Sequence, residues 1–493
     1  MAEQLLIGVD IGTQGTKAAL FGATGKCLAM AFQPSRLQRP QPGIVEEDPE
    51  RQVASVCAAI RQCVRQAGLD SVDGIGIAGQ MAGVIGVGAD GRAVTPYDSW
   101  LDTRCAPYIA RLPADEVIRK AGGPPSFNHG PKLLWWKHER AAVYRSIRSF
   151  VQPGGYAVMR LCGLDARQAF LDHTYLHFSG FADNQQRVWN IGLCDQVGIA
   201  PEKLPRIVEP QTIMEGLTPA MARACGLKPG TPVVAGCGDT AASFLACGAT
   251  REGICVDVAG TASVFAATTA TFRADVKHKI LGWGRSAVPG LWHPYAYING
   301  GGMNLEWFRR EFGGGADFAV LNRLAARVIP DEGLPLFVPH LAGRVTPSQP
   351  HLRGAWAGLT WAHGAGHLYR AMLEGVALEY GLYRDVLRDL CSNYRLTELR
   401  VTGGGEKSAV WNRIKADVLG CPVTQMTRPE GAPLGAALVA GWGIGALRNL
   451  DEAAAAWVRP GRVTAPDRKK ARYYQRRLGR YEQLLKEMNQ WSL

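Results

Sequence analysis

The stretch Leu5-Leu6-Ile7-Gly8-Val9-Asp10-Ile11-Gly12-Thr13-Gln14-Gly15-Thr16-Lys17 decides the reading of this chain. Leu5 to Asp10 is an apolar run of strand length that ends on a carboxylate, and Gly12 to Thr16 is a turn into a second strand, Lys17 to Phe21. The product is a hairpin with a glycine-rich tip. Backbone N–H groups at such a tip, with a threonine hydroxyl beside them, can hold phosphate oxygens. Around Gly253 a similar pattern begins: Ile254-Cys255-Val256-Asp257-Val258-Ala259-Gly260-Thr261 is a second apolar strand leading to a Gly-Thr turn. Either hairpin alone could be coincidence. As a pair they argue that the chain starts its fold twice, with two Gly-Thr turns directed at a shared cleft.

Between the hairpins, strands and helices alternate. Asp48 can cap a helix that has Pro49 at its first position, Val53, Val56, Cys57, Ile60 and Val64 on one face, and Gly68 at its end. Ile75 to Ala78 is the next strand. Alternation of this kind defines the α/β class. At 493 residues the chain is too long for one core. Two domains are expected, 1–248 and 249–493, with the boundary near 245–253 and a cleft between them.

Composition narrows the function classes. Hydrophobic residues make up 47% and charged residues 20%, and no apolar run approaches the roughly twenty residues that cross a bilayer. The start, Met1 through Glu3, lacks the basic and then apolar stretch of a secretory signal, so a cytoplasmic protein is expected. Twelve scattered cysteines without a CxxC pair read as reduced core thiols. The net charge of +12 suits an anionic ligand, although surface composition alone can produce it. Much of it lies in Arg468, Lys469, Lys470, Arg472, Arg476, Arg477 and Arg480, interleaved with Tyr474, Leu478, Tyr481 and Leu485 at helical spacing. That segment reads as a docked amphipathic helix with a solvated basic face. Nucleic acid is the weaker reading, because no binding module accompanies the charge.

Phosphoryl transfer to an alcohol needs a polyphosphate cradle, Mg²⁺ and a base for the hydroxyl proton. The first hairpin offers Thr13, Gln14, Gly15 and Lys17 to phosphates and Asp10 to the metal shell; the second offers Gly260 and Thr261. Asp239 follows the apolar strand Val233-Val234-Ala235 between small residues, where a partly desolvated carboxylate is basic enough to take a proton. It could equally cap the helix that follows. Val401-Thr402-Gly403-Gly404-Gly405-Glu406-Lys407-Ser408 provides a flat surface for a nucleotide base, or is an ordinary turn, since it fits neither the P-loop nor the dinucleotide spacing. The formal GxGxxG at Gly74, Gly76 and Gly79 lies on a strand and is discarded. For sugar recognition, Gly79-Gln80-Met81-Ala82-Gly83 and Ser99-Trp100-Leu101-Asp102-Thr103-Arg104 combine polar groups with an apolar wall. Trp100 could also be core, and Asp102 with Arg104 a structural pair.

Taken together these segments resemble the FGGY family of carbohydrate kinases, in matching order from Leu5 to about Gly443. The most specific stretch is Gly354-Ala355-Trp356-Ala357-Gly358-Leu359 followed by His367-Leu368-Tyr369-Arg370-Ala371-Met372-Leu373-Glu374, similar to the family's second signature. Phe127 to Glu139, with Pro131-Lys132-Leu133-Leu134-Trp135, resembles its first signature imperfectly. The resemblance implies an actin-like, ribonuclease-H-like fold in each domain, ATP and Mg²⁺ in the cleft, and closure on the sugar. It implies Asp239 as catalytic base and Asp10 as the metal-associated carboxylate. It also implies Gly302, and Gly404 with Gly405 and Ser408, at the nucleotide, and Gln80, Met81, Trp100 and Asp102 with Asp239 in the sugar pocket.

Within the family the sugar-side segments are most similar to xylulokinases, which implies conversion of D-xylulose to D-xylulose 5-phosphate. Two departures leave the sugar open. Ala82 stands where xylulokinases generally carry histidine, and Gly343-Arg344-Val345-Thr346-Pro347 stands where the family commonly has glycine, glutamate, arginine, threonine, proline. Another ketose, a polyol or an aldonate is the alternative acceptor, and a non-catalytic sugar- and ATP-binding relative is the alternative class. Expected partners are the sugar and ATP, with a homodimer as the candidate assembly and neither nucleic acid nor membrane.

Overall fold

The computed structural model describes residues 4–427 and 430–490, so the first three residues, on which the reading of the start rests, lie outside it. The chain forms two compact units. The first contains residues up to Thr250, Trp283–Trp292 and 430–458; the second contains Arg251–Gly282, His293–Thr427 and 459–490.

In the first unit β1 (Leu5–Ile11) and β2 (Gly15–Gly22) form the expected antiparallel hairpin, with Asp10 opposite Lys17. Gly12 and Gly15 exchange backbone hydrogen bonds of 3.1 and 3.3 Å around the tip residues Thr13 and Gln14. β3 (Cys27–Pro34) continues the meander. Its approach requires glycine at position 15, where a Cβ would stand 2.3 Å from the Gln33 carbonyl oxygen. Helix α1 (Pro49–Ala67) begins at Asp48, whose side chain accepts from the Glu50 N–H, and ends at Gly68 in the left-handed region at φ 67°. β4 (Gly74–Gly79) runs parallel to β1, and β5 (Ile213–Gly216) and β6 (Pro232–Val234) complete the order β5-β6-β4-β1-β2-β3. Beyond a kink at Gly236, φ 79°, Cys237–Gly238 pair with β4, and α2 (Asp239–Ala246) follows at once.

The second unit repeats the plan. β7 (Ile254–Ala259) and β8 (Ser263–Ala267) form the second hairpin, and β9 (Trp292–Ile298) pairs with β8. The long helix α3 (Ala365–Leu390) precedes β10 (Glu398–Thr402), which is parallel to β7, and β11 (Val423–Met426), which is parallel to β10. The chain then contributes α4 (Ala432–Gly443) to the first unit, and resumes in the second as β12 (Pro460–Thr464) and α5 (Ala471–Met488). Six strands run in the order β9-β8-β7-β10-β11-β12. Each sheet is thus an antiparallel meander, then parallel strands, then an antiparallel edge. The two α/β domains have the actin-like, ribonuclease-H-like arrangement that the family resemblance implies.

On α5, Tyr474, Leu478, Tyr481 and Leu485 are buried, as their spacing predicts. Arg477 corrects the expectation of a wholly solvated basic face. It is fully buried, lies 3.0 Å from the Glu374 carboxylate, and donates to the carbonyls of Leu334 and Pro335 at 2.8 and 3.0 Å. The physical reason is Glu374 on α3, a fully buried carboxylate that Arg370 and Arg477 neutralise together. The signature residues Arg370 and Glu374 therefore serve the interior of the second unit. All twelve cysteines are free thiols, ten of them buried. Among the described residues no helix is long and apolar enough to cross a membrane.

Helix α4 packs on the first sheet with backbone against backbone. A Cβ at Gly8 of β1 would lie 1.8 Å from the Pro433 carbonyl oxygen, one at Gly76 of β4 2.1 Å from that of Ala436, and one at Gly435 2.0 Å from that of Ala242 in α2. Replacing Gly76 by alanine must push the helix off the sheet, and is expected to destabilise the first unit by about 3 kcal/mol. Urea unfolding measures this; an unshifted midpoint would show that α4 can retreat at no cost.

Candidate active site

Strand register places the two key carboxylates. Asp10 of β1 pairs with Ala78 of β4, and Cys237 pairs with the same Ala78 from the other side. Asp10 and Asp239 therefore stand at the same carboxyl end of parallel strands, where α/β sheets bind ligands. Asp239 is the first residue inside α2, whose N-cap is Gly238, so its carboxylate is not the cap that the sequence allowed. Its Oδ1 accepts instead from the N–H and hydroxyl of Thr240 at 2.6 and 3.1 Å. Gly238 is held by its own N–H, which donates to Thr174 Oγ1 at 2.9 Å, while the Thr174 hydroxyl donates to Asp172 at 2.6 Å. A side chain at 238 would have to displace Met81, whose Cε its Cβ would approach to 2.5 Å.

Burial pushes the Asp239 carboxyl up to about 6, held back by the Thr240 hydrogen bonds. Asp10 is pushed up to about 8, first by burial and then by the Asp239 charge, with Lys17 pulling the other way. Two carboxylates cannot both ionise freely in such a place, so near neutrality the pair holds a proton until a cation arrives. Asp10 Oδ1 is buried and has no hydrogen-bond partner. That orphaned oxygen beside a second carboxylate fits a divalent cation. Among the described residues no cluster of three or more His, Cys, Asp or Glu is placed to hold a metal ion. An ion at Asp10 would complete its shell with phosphate oxygens and water, which is the habit of Mg²⁺.

On the hairpin Gln14 is exposed at the tip and Lys17 is partly exposed. The proposed sugar side divides. Gln80, Met81 and Trp100 come together with Thr13: the Trp100 Nε1–H donates to Thr13 Oγ1 at 2.9 Å, and Gln80 and Met81 are buried just past the end of β4. Trp100 is 43% exposed, so its ring is a wall and not core. Asp102 goes elsewhere. It is fully buried, and its oxygens accept from the Val45 N–H at 2.7 Å and from Arg104 at 2.6 to 3.0 Å. The structural-pair alternative is the observed one, and Asp102 shapes the loop that carries Trp100.

Three residues of the first signature, unassigned in the sequence, hold the same loops. His129 Nε2 donates to the Met81 carbonyl at 2.6 Å, its imidazole kept neutral by burial that pushes it down to about 4. Lys132 donates to the carbonyls of Ser99 and Asp102, and the Trp136 indole to Asp98 at 2.6 Å. Their position within Phe127 to Glu139 was the available signal. Asp172 and Thr174 had none, since neither lies in a recognisable motif.

In the second unit Gly260, Thr261, Gly302, Gly404 and Gly405 converge. The N–H of Gly302 donates to the Gly260 carbonyl at 3.0 Å and that of Met303 to the Thr261 carbonyl at 3.0 Å. A Cβ on Gly302 would meet the Gly260 oxygen at 2.4 Å, and one on Gly405 would meet Ala259 Cβ at 2.6 Å, whereas Gly404 faces open space. The result is a surface of bare backbone with an exposed threonine. Ser408 does not join it, because its hydroxyl donates to Asn322 at 2.9 Å and accepts from the Trp411 N–H as a helix cap. Arg344, the second departure from the family pattern, is buried 3.2 Å from Glu379, which also accepts from His340 and Tyr481.

The doubled sheet, the carboxylate pair at its strand ends and the glycine surface define a two-domain α/β phosphotransferase scaffold. The N-terminal domain of the FGGY family of carbohydrate kinases matches residues 5–246, and the family's C-terminal domain matches residues 255–444. The chain belongs to the FGGY family of carbohydrate kinases. It is 29% identical over 443 residues to the xylulose kinase of Escherichia coli K12, covering 88% of this chain and 89% of that one. It is 26% identical over 463 residues to the gluconokinase of Bacillus subtilis 168, covering 90% and 89%. The crystal structure of xylulose kinase from Rhodospirillum rubrum superposes with a TM-score of 0.91 at 29% identity, covering 98% of this chain and 99% of that one.

The raised Asp10 carboxyl makes a stability prediction. The folded state holds this proton to higher pH than the unfolded chain does, so the group's contribution to stability is full below about pH 4 and is lost as pH rises to about 8. Asp10→Asn is expected to match wild type near pH 4 and to exceed it increasingly as pH rises, by up to about 5 kcal/mol at pH 8 without Mg²⁺. Denaturant titrations across that range check this; a pH-independent difference would refute the raised carboxyl.

Proposed function

We propose that this ATP-dependent sugar kinase phosphorylates a pentulose, D-xylulose in first place, to its 5-phosphate. The observation that carries the reading is the desolvated pair Asp10 and Asp239 at neighbouring strand ends, beside a glycine hairpin that presents Lys17. The primary hydroxyl attacks the γ-phosphorus in line while Asp239 accepts its proton, the bond from the γ-phosphorus to the β,γ-bridging oxygen breaks and ADP leaves; a carboxylate that titrates near 6 is ionised yet basic at neutral pH. The amides of the tip at Thr13, Gln14 and Gly15 and the Lys17 ammonium take phosphate oxygens. Mg²⁺, when bound, supplies charge neutralisation for the phosphates, and Asp10 would hold it. The bare backbone at Gly260, Gly302 and Gly404 is assigned to the nucleotide, with Thr261 beside it. Gln80, Met81 and Trp100 are assigned to the sugar. A cytoplasmic setting, where ATP is supplied, goes with this reading.

One observation supports a second acceptor. Ala82 offers no side-chain donor, and a gluconokinase is among the relatives, so an aldonate is the competing substrate. A panel of D-xylulose, D-ribulose, glycerol and D-gluconate assayed by ADP release decides; D-gluconate preferred over D-xylulose would replace the first reading. Improved D-xylulose turnover in Ala82→His would locate the difference at that position.

Asp239→Ala is expected to lower kcat by at least about a hundredfold while ATP binding persists. In wild type kcat/KM should rise with pH through about 6 and then level. Thr240→Val removes the hydroxyl bond that helps hold the Asp239 carboxyl down, leaves the backbone N–H bond in place, and should move that limb to higher pH. A limb that stays in place would mean another group titrates there.

A further inference from the structure

We infer that Thr13 is a positioning residue for the sugar: its hydroxyl, set between the Trp100 indole and the Gln80 amide, fixes the sugar-side wall and is not a phosphate ligand. This rests on the sugar-kinase reading above and moves one residue of the hairpin to the other substrate.

The Trp100 Nε1–H donates to Thr13 Oγ1 at 2.9 Å. The Thr13 hydroxyl keeps its own proton to give, and donates it to Gln80 Oε1 at 3.4 Å. The Tyr97 hydroxyl donates to the same Oε1, also at 3.4 Å. Two donors on the oxygen end orient the amide, so Nε2 is turned the other way. There it is buried and has no hydrogen-bond partner, in a residue 1% exposed. A buried N–H without an acceptor is costly, and a ligand that brings an oxygen to it is favoured. Next along the chain, Met81 packs on Gly238, directly before Asp239, so the orphaned amide belongs to the neighbourhood of the proposed base. The matching ligand chemistry is a hydroxyl or carbonyl oxygen of a polyhydroxylated acceptor, with the half-exposed Trp100 ring against its carbon skeleton.

The geometry of the tip leaves the Thr13 side chain free for this task. Gly12 and Gly15 close the turn through backbone bonds, and the Thr13 carbonyl is anchored by the Ser35 hydroxyl at 2.6 Å. Phosphate contact by the tip amides and Lys17 needs no hydroxyl at position 13.

The test is steady-state kinetics on Thr13→Val, Thr13→Ser, Trp100→Phe and the Thr13→Val/Trp100→Phe double variant, with the best acceptor of the four-sugar panel as probe. Binding of Mg²⁺ with a non-hydrolysable ATP analogue is measured alongside by calorimetry. Thr13→Val is expected to raise the sugar KM by about three- to tenfold, the larger part of its effect, with KM for ATP and analogue affinity within about twofold. Thr13→Ser should restore the sugar KM. Trp100→Phe, which removes the same hydrogen bond from its other end, should act in the same direction and less than additively with Thr13→Val. Weakened ATP and analogue binding with an unchanged sugar KM would overturn the inference and return Thr13 to the phosphates. So would a serine variant as impaired as valine, or full additivity in the double variant. Should Thr13→Val not fold, Trp100→Phe and Thr13→Ser carry the decision. A wild-type protein that releases no ADP with any of the four sugars would instead remove the kinase reading, and this inference with it.

Discussion

Helix α4 can touch the first sheet only because Gly8 and Gly76 have no side chains, and α2 only because Gly435 has none, and the positions of both carboxylates follow from those contacts. β1, which carries Asp10, lies under Pro433; α2, which begins with Asp239, lies against Gly435 through Ala242. Any Cβ at these three places would overlap a carbonyl oxygen of the neighbouring element, and carbonyls in a helix or strand cannot move independently. The close approach sets the heights of β1, β4 and α2 relative to one another. Chemistry that depends on a proton acceptor held near a reacting oxygen is sensitive to shifts of that size.

The same packing creates the electrostatic problem that the site exploits. Asp10 and Asp239 are dry because small residues let the sheet and helices close around them, and dryness raises both carboxyls. Several other buried carboxylates are neutralised by fixed cations: Asp102 with Arg104, Glu374 with Arg370 and Arg477, Glu379 with Arg344. Asp10 has Lys17 on the facing strand and an oxygen without a partner. A carboxylate left incompletely compensated in this way costs the fold stability wherever it ionises.

Much of this was legible because it is local. The two hairpins, the cap and stop of α1, the edge of β4 and the apolar face of α5 each follow from short runs of residues whose periodicity or turn chemistry fixes the backbone. The fates of single polar side chains were not, because their partners come from far along the chain. Arg477 is indistinguishable in sequence from Arg476 or Arg480, and only Glu374, a hundred or so residues away on α3, makes it an interior residue. Ser408 reads as a nucleotide contact until Asn322 takes its proton and the Trp411 N–H its oxygen. Asp102 reads as a sugar ligand or an ion pair until Arg104 folds back on it and the Val45 N–H fills its other side. Nor does any run between β11 and β12 announce that its helix belongs to the first unit, since α4 is apolar nearly all round and could be buried in either.

The repetition of the fold sharpens what is functional in it. Six strands of each sheet follow the same order, and both first strands carry an aspartate ahead of a Gly-Thr turn. In the second unit that aspartate, Asp257, is fully buried, paired with Lys415 and accepting from the Tyr380 hydroxyl at 2.7 Å, so it is a closed structural charge. In the first unit Asp10 keeps an oxygen unpartnered and answers to the charge of Asp239. The two carboxylates do not occupy matching positions, since Asp10 stands two residues before its glycine and Asp257 three, and successive strand residues face opposite sides. The carboxylate with an unpartnered oxygen is in the first copy, and the second copy presents bare glycine backbone around Gly260, Gly302 and Gly404.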